Sequence, residues 1–441
     1  MTAALLLMAM LASGAAPAAP VPPLKDPVEA LEERPLADVQ AVADKGDPVG
    51  QTALADMLND GRAGDIDHVR ALALFQKAAA AGNAEAIADI GYMSQMGWAV
   101  PQDYAVAMTD YRKAADLGAS DAMLALGALY QKGVGVTRDY AQAMAWYQKA
   151  QAAGNIHGAV YIGSLYAGGH GVPQDYSKAM ALYQAAADAG NGTGYELLGG
   201  LYAGGKGVPK DEAKAVELYR AGAAAHFPAN AMVYLGLAYA GGKGVAGDEA
   251  EAVKWYRQSA AHGARVGMYM LGVVLEKGRG VDLDLEQSRA WMLKAADLGY
   301  TGAQIHLGNM YHDGDGVPID EAQAFRWYKA AADQDDKSAQ YILGLSYVHG
   351  WGTPVDPAKG LALIATSAER GSSTAQETLG VYDMNGQGVA VDKVAALKWF
   401  TLAAAAGDIY APDHIHTLEA GMSAGDIAKA KTEAGEFKPM D

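Results

Sequence analysis

There is no cysteine in the 441 residues, and phenylalanine occurs only five times. Without thiols the chain can form neither a disulfide framework nor a lipoprotein attachment. Positive charge is also short: 34 Lys and Arg stand against 51 Asp and Glu, a formal net charge of −17. Nucleic acids and anionic membranes are gripped by clustered Lys and Arg. They are therefore disfavoured as partners, and the charge reads as a solubilising surface. After the first 20 residues no apolar run reaches the ~18 residues that a membrane span needs.

Chemical motifs are missing too. The ten histidines include no H-E-x-x-H and no cluster at metal-ligand spacing. His414 and His416 stand in an irregular stretch, residues 409–416, and read as structural or solvated. There is no G-x-S-x-G elbow. Residues 200–207 approach a phosphate loop, but no Ser or Thr follows Lys206 and no strand leads in. Asp313, Asp315 and Asp320 miss the calcium-loop spacing. The expectation is no enzyme, no metal and no cofactor.

What is present is a unit, best seen in residues 121–155. Ala122, Leu126, Gly127 and Tyr130 share one face of a helix. Gly133 stands where a left-handed C-cap would end it. Asp139 reads as the N-cap of a second helix, with Gln142 as its capping-box partner. Ala143, Trp146, Tyr147 and Ala150 form the second apolar stripe. A glycine inside a helix costs about 1 kcal/mol against alanine. Gly127 must therefore make room for a bulky side chain of the partner helix, Trp146 or Tyr147.

That glycine recurs at Gly91, Gly127, Gly163, Gly199, Gly236, Gly272, Gly308, Gly344 and Gly380, in steps of 36 with one of 37 before Gly236. The extra residue falls around His226, Phe227 and Pro228. A degenerate first copy has Ala55 and Phe75 at the glycine and aromatic positions, which makes ten repeats. Helix pairs that cannot bury their stripes alone must stack on their neighbours. The expected fold is all-α: one elongated body, a right-handed α-solenoid of about ten two-helix repeats with capping helices at both ends.

The pattern A-x-x-x-L-G-x-x-Y-x-x-G-x-G-V-x-x-D-x-x-x-A-x-x-W-Y resembles the Sel-one-like repeat (SLR), a relative of the tetratricopeptide repeat. The resemblance covers most of the chain. It implies an interaction scaffold whose first helices line a concave face. Some copies depart from the pattern. Ser94, Leu275 and Asp383 replace the first-helix tyrosine, and repeat nine has Thr353 in the turn and no aromatic at Leu363 and Ile364. Looser packing is expected in those repeats.

The flanks complete the expected organisation. Residues 1–19 read as a secretory signal, which points to a periplasmic or secreted protein. A proline-rich linker at 20–34, a capping helix at 35–46, repeats at 47–408 and a C-terminal capping segment at 409–441 follow, the last with a helix over 423–434 behind an N-cap serine.

Two rows of residues suggest where a partner binds. Off the core stripe of the first helices in repeats six to nine, positions that water would keep polar are largely apolar: Val233, Leu237, Tyr269, Val273, Ile305, Tyr341 and Leu345. Glu276, Asn309 and His312 would rim this groove, which fits a partner protein's helix or extended segment. The competing reading is that the solenoid fills the groove itself. The second row lies between the turn glycines: His170, Lys206, Lys243 and Arg279, a strip for an anionic ligand or simply tolerant turn positions. The favoured function is a non-enzymatic adaptor, monomeric, binding a protein or peptide. The alternatives are a cell-envelope enzyme or inhibitor acting on cell-wall material, and a self-associating structural subunit.

Overall fold

The computed structural model describes residues 27–225 and 229–440, and all 24 helices among them are α-helices with no strand. The signal expected at residues 1–19 and the extra residue near His226 lie outside the described residues. Each repeat is a pair of helices of 12 or 13 residues, such as Ser120–Lys132 and Tyr140–Ala152 in repeat three. Each second helix packs on its own first helix, and within each unit on the first helix of the next repeat. The fold is an α-solenoid of ten repeats.

The helices divide into two compact units, residues up to 227 and residues from 228. Nothing in the sequence marks a division except the one 37-residue step, which falls there.

Local chemistry sets each repeat. Asp139, in extended backbone, accepts from the amides of Ala141 and Gln142 at 2.9 and 3.0 Å. Its own N–H donates to the Tyr130 carbonyl at 2.9 Å. The reciprocal capping box expected with Gln142 therefore has no free backbone N–H to close on. Instead the cap ties the second helix to the end of the first. Gly133 ends the first helix at φ +70°, as its counterparts do in repeats two to ten. The next turn glycine makes the stacking contact. A Cβ on Gly280 would lie 2.7 Å from the Ala250 amide nitrogen, on the second helix of the preceding repeat. Only glycine lets the two backbones approach so closely.

The mid-helix glycines do what their spacing demands. A Cβ on Gly163 or Gly199 would come within 2.6 Å of the Tyr183 or Tyr219 ring. In repeat three the occupant is Tyr147; Trp146 stays half-buried, with the Lys149 ammonium 3.7 Å from its ring centroid. Met292 and Ile364 fill the same space where the aromatic is missing, and both are fully buried. The looser packing expected of the divergent repeats is therefore not seen at these positions, nor at Ser94 and Leu275, which are buried. In repeat nine a gap opens instead at the edge, a cavity of about 450 Å³ lined by Pro357, Leu361 and Tyr382 among others.

The ends differ from the sequence reading in two places. The stretch 20–34 is not all linker: Pro27–Glu32 is a helix, and its Val28 and Leu31 are buried with the first repeat. Proline at a first helical position starts a helix rather than breaking one. The stretch 409–416, expected to be irregular, is likewise largely helical. Ala411–Glu419 is a helix with Pro412 in its first turn, and Asp408 accepts from the amides of Tyr410 and Ala411. His414 on this helix pairs with Glu377 at 3.4 Å and packs on Phe400. The last helix runs Ala424–Glu436 with Ser423 as its N-cap. Both terminal helices cover Lys393–Ala405, the second helix of repeat ten.

Candidate partner-binding surface

In the unit from residue 228, the first helices of repeats six and seven, Ala229–Gly241 and Arg265–Lys277, touch directly. The positions expected to form a groove therefore face a neighbouring helix as well as water. Val233 is buried at 4% exposure and cannot meet a partner. Leu237, 42% exposed, and Asn309 are open. Tyr269, Val273, Ile305, His312, Tyr341 and Leu345 are half-buried.

The half-buried side chains have contacts of their own. Tyr269 packs against Tyr300 and His306, with centroids 5.2 and 5.9 Å away, and burial raises its phenol pKa. Glu276 and His306 pair at 2.8 Å across repeats seven and eight. The Tyr341 hydroxyl meets the Thr378 hydroxyl at 3.1 Å, joining repeats nine and ten. His312 bonds Glu321 at 2.9 Å and tilts over Trp351. The face is partly filled by its own residues and open mainly at Leu237 and Asn309.

The turn residues reach back to the first residue of the preceding repeat's second helix. His170 stacks on Tyr140 with centroids 5.2 Å apart, and Trp98 stacks on His68 at 4.6 Å. Arg279 gives Nε and Nη2 to Glu249 Oε1 at 2.8 and 2.7 Å. Two of the four strip residues thus fasten neighbouring repeats. Lys206 and Lys243 are exposed, one in each unit. Among the described residues no three His, Asp or Glu side chains gather as a metal site. No described helix is long and apolar enough to cross a membrane.

Sequence reasoning missed how the buried tyrosines end. Tyr111 donates to Gln95 Oε1 at 3.0 Å, Tyr147 to Gln131 Oε1 at 2.7 Å, and Tyr328 to Asn309 Oδ1 at 2.9 Å. Tyr183 shares a hydrogen bond with Ser164 at 3.2 Å. These partners lie one or four residues after the repeat glycine. In repeat six the two positions are Leu237 and Ala240, and neither side chain can accept. The Tyr256 ring is 1% exposed, and the phenol lines a cavity of about 120 Å³ with Leu237, Ala240, Val273, Glu249 and Arg279. Burial raises this phenol to about 12, and the nearby Arg279 charge opposes the shift. The signal was present in the sequence as apolar residues at two positions where repeats two, three, four and eight carry Gln, Asn or Ser; repeat five, with Gly200 and Ala203, lacks such a side chain as well.

A second missed cluster lies in the unit up to residue 227. Asp56, Asp89, Asp121 and Glu32 face one another along the first helices and the N-terminal helix. Burial, then Asp89 and Glu32, raises Asp56 strongly. Burial, then Asp121 and Glu32, raises Asp89 to about 7.

Comparison with known proteins supplies the family. The Sel1 repeat model matches ten times, at residues 48–83, 84–118, 120–155, 156–191, 194–226, 229–263, 266–300, 301–336, 337–372 and 373–408. Among solved structures, a protective antigen of uropathogenic Escherichia coli displaying an SLR fold is 28% identical over 92% of this chain and 94% of its own, with a TM-score of 0.40. A Sel1 repeat protein from Oxalobacter formigenes is 27% identical over 85% of this chain and 98% of its own, with a TM-score of 0.45. No curated protein matches the chain. With ten matches running from residue 48 to residue 408, the chain belongs to the Sel1 repeat family.

Proposed function

We propose that this chain is a non-enzymatic scaffold that binds a partner protein or peptide along the first-helix face of repeats six to nine. Proteins of the Sel1 repeat family generally serve as protein-interaction scaffolds. The observation that carries the reading is the run of apolar side chains left open or half-open on that face, with Leu237 42% exposed and Val273, Ile305 and Leu345 half-buried. Apolar area kept in water is a standing cost of about 25 cal/mol per Å², which a partner removes on binding. The reading places the protein in the cell envelope, following the expected signal at residues 1–19, with the partner held by equilibrium capture.

The test uses the open position Leu237 rather than the tyrosines, because Tyr269 and Tyr341 also hold neighbouring repeats together. Leu237→Asp is compared with the wild-type chain in affinity capture from the native envelope, with melting as the control. The expected result is loss of a specifically captured protein at unchanged melting temperature. Capture that ignores the substitution would overturn the proposal.

A further inference from the structure

Repeat six lacks a side chain that the same scaffold uses elsewhere. In repeats two, three and eight an amide oxygen, from Gln95, Gln131 or Asn309, accepts the hydrogen bond of the buried tyrosine. In repeat six the tyrosine remains as Tyr256, its amide partner is replaced by Leu237 and Ala240, and a cavity of about 120 Å³ stands there. That is roughly the volume of four waters, room for the five heavy atoms of one glutamine side chain.

The cavity's chemistry matches an amide better than a carboxylate. Tyr256 Oη supplies a donor at 1% residue exposure. Glu249 supplies an acceptor: both bonds from Arg279 fall on its Oε1, which leaves Oε2 outside the pair. Between them the walls are the apolar side chains of Leu237, Val273 and Met270. Tyr256 Oη has no acceptor at the two positions that serve Tyr111, Tyr147, Tyr183 and Tyr328, so the site favours a ligand that accepts at one end and donates at the other. An incoming carboxylate would face Glu249, and an aliphatic side chain would leave the phenol unmet.

We propose that this cavity receives a glutamine side chain from an extended segment of the partner, its amide oxygen accepting from Tyr256 Oη and its amide nitrogen donating to Glu249 Oε2. The proposal rests on the scaffold reading above and adds a sequence preference to it. The occupant is the missing amide of repeat six, supplied by a second molecule. Leu237 and Val273 line the cavity and also belong to the first-helix face.

The experiment is methyl NMR of the full chain, following Leu237 and Val273 during titration with three capped pentapeptides, glycine–alanine–X–alanine–glycine, where X is Gln, Glu or Leu. The Gln peptide is expected to shift both methyls saturably and to bind at least tenfold tighter than the other two. Tyr256→Phe, which keeps the ring that fills the space opposite Gly236, is expected to lower Gln-peptide affinity about tenfold. Ala240→Gln restores the amide of repeats two and three from within the chain; it is expected to raise the melting temperature and to abolish peptide binding. Equal binding of the Leu or Glu peptide, an unchanged affinity in Tyr256→Phe, or no saturable shift with any peptide would overturn the proposal. If capture of the native partner still depends on Leu237 in that case, only the glutamine inference falls and the scaffold reading stands.

Discussion

The first helices of repeats one to three and those of repeats six to nine carry opposite chemistry at matching positions. One residue after the repeat glycine stands Asp56 in repeat one, but Leu237, Val273 and Leu345 in repeats six, seven and nine. Two residues before it stand Asp89 in repeat two and Met270 and Ile342 in repeats seven and nine. The backbone is the same helix pair in both regions. One set of side chains gathers carboxylates that raise one another's pKa; the other leaves apolar surface open or half-open. The same helix pair thus forms with either set, and these two positions are where function can vary.

That separation predicts its largest effects where the two regions are alike. The buried tyrosine is shared, so Tyr111→Ala and Tyr328→Ala are each expected to cost about 3–5 kcal/mol, the range for emptying a buried aromatic site. Both rings are nearly inaccessible and lie opposite a repeat glycine. Chemical denaturation followed by fluorescence checks it. If one repeat lost less than half of what the other lost, the two regions would not share a core.

A smaller effect separates them. An unfolded aspartate titrates near 3.9, whereas folded Asp89 titrates at about 7, chiefly because it is buried and secondly because Asp121 and Glu32 are close. Between these values the folded chain binds the extra proton. The stabilisation is complete below pH 4 and is lost as pH rises through 7. Asp56, raised further, extends the loss to higher pH. Asp89→Asn should leave stability at pH 4 unchanged and raise it by about 1–3 kcal/mol at pH 8, after discounting for residual solvent. Melting curves at the two pH values decide. A variant that melts with wild type at pH 8 would show that the carboxylates are solvated in pairs rather than pressed together.

The fold was legible because its signals repeat. A glycine every 36 residues, opposite Tyr, Met, Ile or Phe, names both helices and their contact. Asp139 and its counterparts name the second helix's start. What failed did so where a residue has two meanings. The expected linker at 20–34 and the expected irregular stretch at 409–416 each hold a helix with proline in its first turn, Pro27 and Pro412, where proline's missing N–H costs nothing. The surface was less legible. Sequence spacing put Val233 and Leu237 on one face, yet the first is buried and the second open. Which of two adjacent positions is covered depends on how neighbouring repeats pack, and a single helix's periodicity does not contain that. The cavity at Tyr256 depends on a difference between repeats, which appears only when each tyrosine is matched to its acceptor.

That matching sets up a comparison at smaller magnitude. Tyr147→Phe removes the donor from Gln131 in a half-buried setting and should cost about 1 kcal/mol. Tyr256→Phe removes a hydroxyl with no acceptor at the two repeat positions that serve Tyr111, Tyr147, Tyr183 and Tyr328, and should change stability by less than about 0.5 kcal/mol. Both keep the ring that fills the space opposite the glycine, so neither opens a cavity. Equal losses would mean that Tyr256 has found another partner, and the asymmetry between repeats three and six would disappear.

The smallest expected effect concerns the turn residues. Arg279 and Glu249 form the shortest kind of charged bond available to them, at 2.7 Å, yet their side chains are 53% and 46% exposed. Water and salt screen such a pair, and fixing two long side chains costs entropy. Arg279→Gln should therefore shift stability by no more than about 0.5 kcal/mol, and less in 1 M salt. The stacking of repeat seven on repeat six rests instead on Gly280, whose lack of a side chain lets the backbones meet. Gly280→Ala should cost several times more than Arg279→Gln in the same denaturation experiment. The reverse order would mean that charge rather than close backbone contact joins these two repeats.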